Sequence, residues 1–499
     1  MKLGKLADAA GIDAGFDTGA SGDLNVTGFA IDHRKVAPGT VFGAFQGAAV
    51  NGEDFIASAV EAGAIAIVAR PEAGVSGAVH IADDTPRRAF ARLAARYFTP
   101  VPDTIVAVTG TNGKTSCVEM TRQLWRMSGQ RAASIGTLGV TTPDESISTG
   151  LTTPDIVTFL SNVSGLAREG VTHVAYEASS HGLSQYRNEG LPVAAGAFTN
   201  FSRDHLDYHA TMEDYFDAKM QLLDEVVVAG GKAVIWTGGD DWTAQAIARA
   251  KARGLEVLTV GEQGDFIRLT ARTPTQLGQD LEITHAGETR KLRLPLIGAY
   301  QVANALTSAA LVLATGGDPA QVWDGVSRLQ PVRGRLERAV IAPSGAPVYI
   351  DYAHTPDALE AAIEALRPHV AGQLITVFGA GGDRDHGKRE PMGEAASRLS
   401  DQVIVTDDNP RGEAPEAIRA AVLEGAGDNA VEVGDRRAAI AQAIQQAGKD
   451  DIVLIAGKGH ERGQIVGSGE QMRVLPFDDV EVARECSAEI GQTAWGHDQ

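Results

Sequence analysis

Short apolar runs that end in glycine, aspartate or histidine, each followed by a helical pattern, constrain this chain more than any other feature. "TIVAVTG" at 104–110 is one, and "VTHVAYEAS", "VAAGAFTNFS" and "KAVIWTGGD" come after it. Apolar strands alternating with helices predict a parallel sheet covered on both faces. The rhythm resumes after "LQPVRGRLE" (329–337) with "APVYIDYAH", "LITVFGAGGDRD", "DQVIVTDDN" and "DIVLIAGKGH". In open α/β sheets ligands sit beyond the carboxyl ends of the strands, where these polar endings fall. "LEITHAGETRKLRLPLIG" (281–298) breaks the rhythm and reads as hairpin strands.

A shorter α/β unit precedes these two. "AIAIVAR" and "VHIADD" read as strands, and Thr85-Pro86 opens a helical pattern in "TPRRAFARLAARYF". Two prolines in "TPVPD" (99–103) stop that helix and mark a linker. The expected domains are 1–100, 104–331 and 332–499, a division that suits a chain of 499 residues. The fold class is α/β, with a central doubly wound parallel sheet carrying a phosphate loop and a small hairpin subregion.

A net charge of −20 argues against non-specific nucleic-acid binding. Anionic ligands then need local cations and helix N-termini. Cys117 and Cys486 are the only cysteines and form no CxxC, so neither a disulfide framework nor a zinc site is expected, and a cytoplasmic location fits. Asp8 interrupts the start "MKLGKLADAAG", which lacks the apolar core of a leader peptide. No run of 18 apolar residues appears, so no membrane span is expected.

"VAVTGTNGKTS" (106–116) runs from a strand into a glycine turn and a helix. The usual phosphate loop has a glycine at the place of Val108, and here it comes at Gly110. The context still suits phosphate: N–H groups of Gly110, Thr111, Asn112, Gly113 and Ser116 at a helix N-terminus, Lys114 for the β and γ phosphates, and Thr115 for Mg²⁺. In "YEASSHGL" (176–183), Glu177 is a candidate Mg²⁺ ligand or part of a solvated loop. "FTNFSRDHLDYHATMEDYFDAK" (198–219) gathers histidines and acids without the spacing of a zinc site, and by itself reads as a polar loop and an amphipathic helix. "GAGGDRD" fails the dinucleotide fingerprint because Arg384 stands at the third glycine. In "DDNPRGEAP" (407–415), Arg411 beside two acids suits a zwitterion, and "AGKGHE" (456–461) adds flexible backbone, Lys458 and Glu461.

"GTNGKT", "YEASSHGL", "TNFSRDHLDYH", "GRLE", "DYAHTPDAL", "GGDRD", "DNPR" and "GKGHE" occur in an order that resembles the Mur ligase family. The resemblance implies a UDP-binding N-terminal domain, a central ATPase domain and a C-terminal Rossmann-like domain that brings an amino acid. It implies an ADP-forming acid–amino-acid ligase of peptidoglycan synthesis, acting through an acyl phosphate on a UDP-linked muramoyl dipeptide, with ATP and Mg²⁺ as cofactors. No nucleic-acid partner is expected, and the chain is expected to act as a monomer. By similarity, Lys114, Thr115, Glu177 and His205 hold phosphates and Mg²⁺. Lys219 matches a carbamylated lysine, although its residue type alone equally suits a solvent-facing helix position. Asn304 and Arg335 resemble ATP contacts, with Asp351 and His354 in the motif at the domain junction.

Ile31, His33, Thr152, Thr153, Ser179, Gln185 and Arg187 fall at positions that hold the UDP-substrate. Arg384, Asp408, Asn409, Pro410, Arg411, Gly457 and Glu461 fall at those for the incoming amino acid. "DNPR" is the form that goes with meso-diaminopimelate, whose second carboxylate an arginine can pair. Two positions depart from the family: His33 replaces a serine, and Gln301 replaces an asparagine. The alternatives are a lysine-adding ligase, a folylpolyglutamate synthetase-like ligase, and an ATPase switch without ligation.

Overall fold

The computed structural model describes residues 1–12, 21–47, 50–142, 146–147, 152–206, 208–275 and 278–496. Asp207, inside one of the quoted motifs, lies outside them. The described residues fold into three α/β units around three large sheets, with a fourth, two-stranded ribbon formed by Gly463–Val466 and Arg473–Pro476. The first sheet has four parallel strands in sequence order: Gly28–Ala30, Thr40–Gly43, Ala64–Ala69 and Val79–Ala82. The helix Pro86–Tyr97 starts where Thr85-Pro86 predicts and buries Phe90, Leu93 and Ala94.

The second sheet has eleven strands. Thr104–Thr109 lies between Val193–Phe198 and His173–Glu177, parallel to both. Its alternating side chains explain why helices cover both faces: Ile105 and Ala107 join one core, Val106 and Val108 the other. The strand then turns directly into the helix Lys114–Met127, which buries Val118, Met120, Leu124 and Trp125. At one edge of the sheet, Ile267–Thr275, Gly278–His285 and Glu288–Leu294 form the antiparallel extension expected from 281–298.

The third sheet has six strands, all parallel except the edge strand Glu337–Ile341. Pro347–Asp351, Ile452–Ala456, Leu374–Phe378 and Gln402–Val405 are neighbours in that order. Their carboxyl ends therefore bring Asp351, Gly457, Gly379 and Asp407 to one rim. Ile350, Ile375 and Val377 face one core, and Tyr349, Leu374 and Phe378 face the other.

Candidate functional site

The turn Gly110–Lys114 is shaped by two glycines in conformations that L-residues avoid, with φ 141° at Gly110 and 88° at Gly113. A Cβ on Gly110 would lie 1.9 Å from Thr199 Oγ1, and one on Gly113 would lie 2.4 Å from Asn304 Oδ1. Neighbouring strands hold the turn. Asn112 N donates to Asn200 Oδ1 at 2.9 Å, and Thr199 Oγ1 donates to Asn112 O at 2.6 Å. Lys114 Nζ folds back on the carbonyls of Gly110 (3.0 Å) and Thr111 (2.8 Å). Burial pushes its pKa below the usual lysine range, against the pull of Glu177 and Asp204.

Lys219 is buried, not solvent-facing: it is 1% exposed. Its Nζ donates to the same Gly110 carbonyl at 2.7 Å. Burial first, then the charge of Lys114, hold its pKa well below the ordinary value. Asp204, which sequence reading passed over, lies beside these cations. Burial alone would raise its pKa, but His205, His354 and Lys114 outweigh that and hold it below the carboxylate range. His205 Nε2 stands 3.6 Å from Asp204 Oδ2, on a backbone with φ 52°.

Glu177 ends its strand 2% exposed. Thr137 N donates to its Oε1 at 2.7 Å, and Thr137 Oγ1 to its Oε2 at 3.1 Å. Thr137 also touches Thr152 Oγ1 at 3.1 Å, so it links two expected site residues although no motif announces it. Thr153 Oγ1 donates to the Glu177 carbonyl at 3.0 Å and meets Ser179 Oγ at 3.0 Å. Arg187 caps this cluster, donating to Thr153 O at 2.8 Å and to Gln185 Oε1 at 2.7 Å. Ile31 and His33 lie in the first unit, both half-buried. His33 stacks on Phe55, with centroids 4.3 Å apart and rings 6° from parallel.

Arg335 crosses from the third unit to the phosphate turn, donating to Thr115 Oγ1 at 3.3 Å and packing 4.5 Å from the Tyr352 ring. Gln301 donates to the Arg335 carbonyl at 3.2 Å and accepts from Asn304 Nδ2 at 3.2 Å. The longer glutamine thus ties Asn304 to the arginine loop. Asp351 accepts from Leu336 N (2.7 Å) and Ala353 N (2.9 Å), and burial raises its pKa. His354, whose pKa is lowered by burial and then by Lys388, points Nδ1 at Tyr352 O at 2.8 Å.

A cavity of 610 Å³ opens between the second and third units. His181, Asp204 and His205 line one side, and Arg384, Asp408, Asn409, Arg411, Gly457 and Glu461 line the other. Pro410 is absent from its lining and serves the turn, its carbonyl 1.9 Å from where a Cβ on Gly382 would stand. Arg411 Nη1 donates to Gly382 O at 2.9 Å. Burial and then the neighbouring Arg384 lower its pKa, against the pull of Asp408 and Glu461. Asn409 Nδ2 donates to Glu461 Oε2 at 2.8 Å. A wider cleft of 1290 Å³ shares Tyr352, Arg384 and Glu461 with this cavity and reaches Thr137 and Thr152. Among the described residues no cluster of three histidine, cysteine or acidic side chains stands ready for a metal.

Comparison with known proteins gives the family and the fold. Residues 108–312 match the Mur ligase middle domain, 334–459 the Mur ligase glutamate ligase domain, and 25–98 the Mur ligase family catalytic domain. A protein of Zymomonas mobilis named UDP-N-acetylmuramoyl-L-alanyl-D-glutamate–2,6-diaminopimelate ligase is 59% identical, over 97% of this chain and 98% of the relative. One of the same name from Bradyrhizobium diazoefficiens is 51% identical, over 96% and 98%. A solved structure of a ligase so named superposes with a TM-score of 0.72 at 32% identity, covering 98% of this chain and 99% of the other. A Mycobacterium tuberculosis folylpolyglutamate synthase complexed with ADP shares the fold over 75% of this chain and 91% of its own, with a TM-score of 0.63 at 21% identity.

Proposed function

The chain belongs to the Mur ligase family, and from that premise we propose that it joins meso-2,6-diaminopimelate to UDP-N-acetylmuramoyl-L-alanyl-D-glutamate while ATP is split to ADP and phosphate. The observation that carries this reading is the 610 Å³ cavity, which sets the Asp204–His205 loop against Arg384, Asp408, Asn409 and Arg411. An electrophile made on one wall meets an amine held on the other. The folylpolyglutamate synthase structure covers 75% of this chain, and a folate substrate gives a UDP-binding first unit no task. A lysine substrate lacks the carboxylate that Arg384 and Arg411 together would receive.

A carboxylate is a poor electrophile, and phosphorylation supplies its leaving group. An oxygen of the D-glutamate carboxylate attacks the γ-phosphorus, the bond to ADP breaks, and an acyl phosphate forms. The diaminopimelate amine, having shed its ammonium proton, adds to the acyl carbon. The tetrahedral adduct gives up a proton from its nitrogen to water, expels phosphate and leaves the amide. Lys114 and the N–H groups of Gly110–Ser116 steady the phosphates as charge moves. Asn304, Arg335, Asp351 and His354 hold the nucleotide across the domain junction. Thr152, Thr153, Ser179, Gln185 and Arg187 hold the dipeptide, and Ile31 and His33 the uridine side. The working units are 1–100, 104–331 and 332–499.

Thr115, Glu177 and His205 would hold Mg²⁺. The donor set fits, since Mg²⁺ is bound through few protein oxygens plus substrate phosphates and water. When bound, Mg²⁺ supplies charge neutralisation on the transferred phosphoryl group. Lys219 joins this set as a carbamate. Its depressed pKa favours the neutral amine, which adds CO₂ and loses a proton to become an anion. The cavity needs residues of one chain alone on both its walls, which supports action as a monomer. The enzyme works in the cytoplasm on soluble substrates, and among the described residues no helix is long and apolar enough to cross a membrane.

The test is phosphate release from ATP in the presence of the UDP-linked dipeptide, with meso-diaminopimelate or L-lysine added in turn. Release is expected to depend on diaminopimelate. Equal rates with lysine would remove the specificity, and ATP turnover indifferent to both would remove the ligase reading.

A further inference from the structure

Lys458 carries a side chain that the reaction above does not use. It is 0% exposed and absent from the lining of the 610 Å³ cavity. A buried ammonium is costly unless all its donors are met. Nζ has three N–H groups and three acceptors: Asn409 Oδ1 at 2.9 Å, Glu461 Oε2 at 3.3 Å and Asp408 Oδ1 at 3.5 Å. All three acceptors belong to residues that do line the cavity.

The contacts fix more than charge. Asn409 Oδ1 accepts from both Lys458 and Ile465 N (2.9 Å), which forces its Nδ2 toward Glu461. Glu461 Oε2 then accepts two donors, leaving Oε1 uncommitted to this network. Asp408 and Glu461 are like charges at one site, and the ammonium between them offsets their repulsion. Arg436 lies behind in its own buried pair with Asp479, 2.7 Å away, and does not take over that task.

We propose that Lys458 is a positioning residue of the amino-acid pocket, holding Asp408, Asn409 and Glu461 so that their remaining oxygens converge on the incoming ammonium. This rests on the reading of that pocket as the diaminopimelate site. It explains why a lysine stands next to an amine-binding pocket without competing for it: the charge is spent on the pocket's own wall.

The experiment is steady-state kinetics on Lys458→Met and Lys458→Arg, with each of the three substrates varied in turn and thermal unfolding recorded beside it. In Lys458→Met the KM for diaminopimelate is expected to rise at least about tenfold, because three polar groups lose a buried partner. KM for ATP and for the UDP-dipeptide should stay within about twofold, and saturating diaminopimelate should recover most of kcat. Lys458→Arg keeps the charge and should restore most of the affinity. A folded Lys458→Met with unchanged diaminopimelate KM would overturn the proposal, as would equal rises in all three KM values. If Lys458→Met does not fold, Lys458→Gln decides: a rise in KM confined to diaminopimelate supports the proposal, and an unchanged or an unselectively raised KM overturns it. Wild-type enzyme without diaminopimelate-dependent turnover would overturn the pocket reading itself, and the role of Lys458 with it.

Discussion

At the scale of single residues, the site is built from charges that burial has moved off their ordinary values. Lys219 and Lys114 both donate to the Gly110 carbonyl; burial lowers the pKa of each, and the charge of Lys114 adds to the effect on Lys219. His460 shows the same principle where it can be measured. Burial, then Arg335, Arg333 and His354, push its pKa down to about 3 from 6.5. The unfolded chain therefore takes up a proton below pH 6.5 that the folded chain refuses. Stability from this residue is complete above pH 6.5 and is lost as the pH falls toward 3. Between pH 7 and pH 5 the loss amounts to about 2 kcal/mol. His460→Gln should flatten the pH dependence of unfolding free energy by that amount over this range. Denaturant titrations at pH 7 and 5 measure it, and an unchanged slope would rule out a buried neutral His460.

At the scale of elements, the phosphate turn works because the strand before it and the helix after it are both pinned. Thr104–Thr109 is buried on two faces, and Lys114–Met127 is anchored by Leu124 and Trp125. The turn between them has no freedom to drift, so its glycines must accept the left-handed region. Gly113→Ala would put a Cβ 2.4 Å from Asn304 Oδ1 at φ 88°. The backbone penalty alone is about 1–2 kcal/mol. The KM for ATP should rise at least about tenfold, while far-UV circular dichroism stays that of the native fold. A Gly113→Ala enzyme with unaltered ATP affinity would contradict the site. The shifted glycine, Gly110 in place of Val108, was legible from the sequence. Its physical reason was not: a Cβ there meets Thr199 from another strand.

At the scale of the whole molecule, the catalytic centre exists only where units meet. Arg335 touches Thr115 across one junction, and the first unit docks on the second through a different one. There Glu189, 5% exposed, receives Arg88 Nε and Arg92 Nε, each at 3.0 Å. Glu189→Gln removes the charge that two guanidiniums share. Because both arginines are partly exposed, the loss should be modest, about 1–2 kcal/mol. A lowered unfolding midpoint with a raised KM for the UDP-dipeptide and an unchanged KM for diaminopimelate is expected. An equal effect on both substrates would mean the junction serves stability alone.

The sequence by itself determined which segments become strands and helices, and which loops carry chemistry. The unbroken apolar run of "TIVAVTG" and the glycine turn after it are local facts, and so are the acids and arginine of "DNPR". Gly110–Thr115, Glu177 and Arg411 were readable as candidates in that way, whereas Arg384 entered only through the family resemblance. Only the tertiary structure decided what each side chain meets. It buried Lys219 under the phosphate turn, gave Glu177 to Thr137, and let Gln301 bridge Asn304 to Arg335. It also placed Lys458 behind the pocket wall, bonded to residues that line it. The reason is that periodicity and spacing act over a few residues. Desolvation and pairing depend on partners tens to hundreds of positions away, brought together only when the sheets pack.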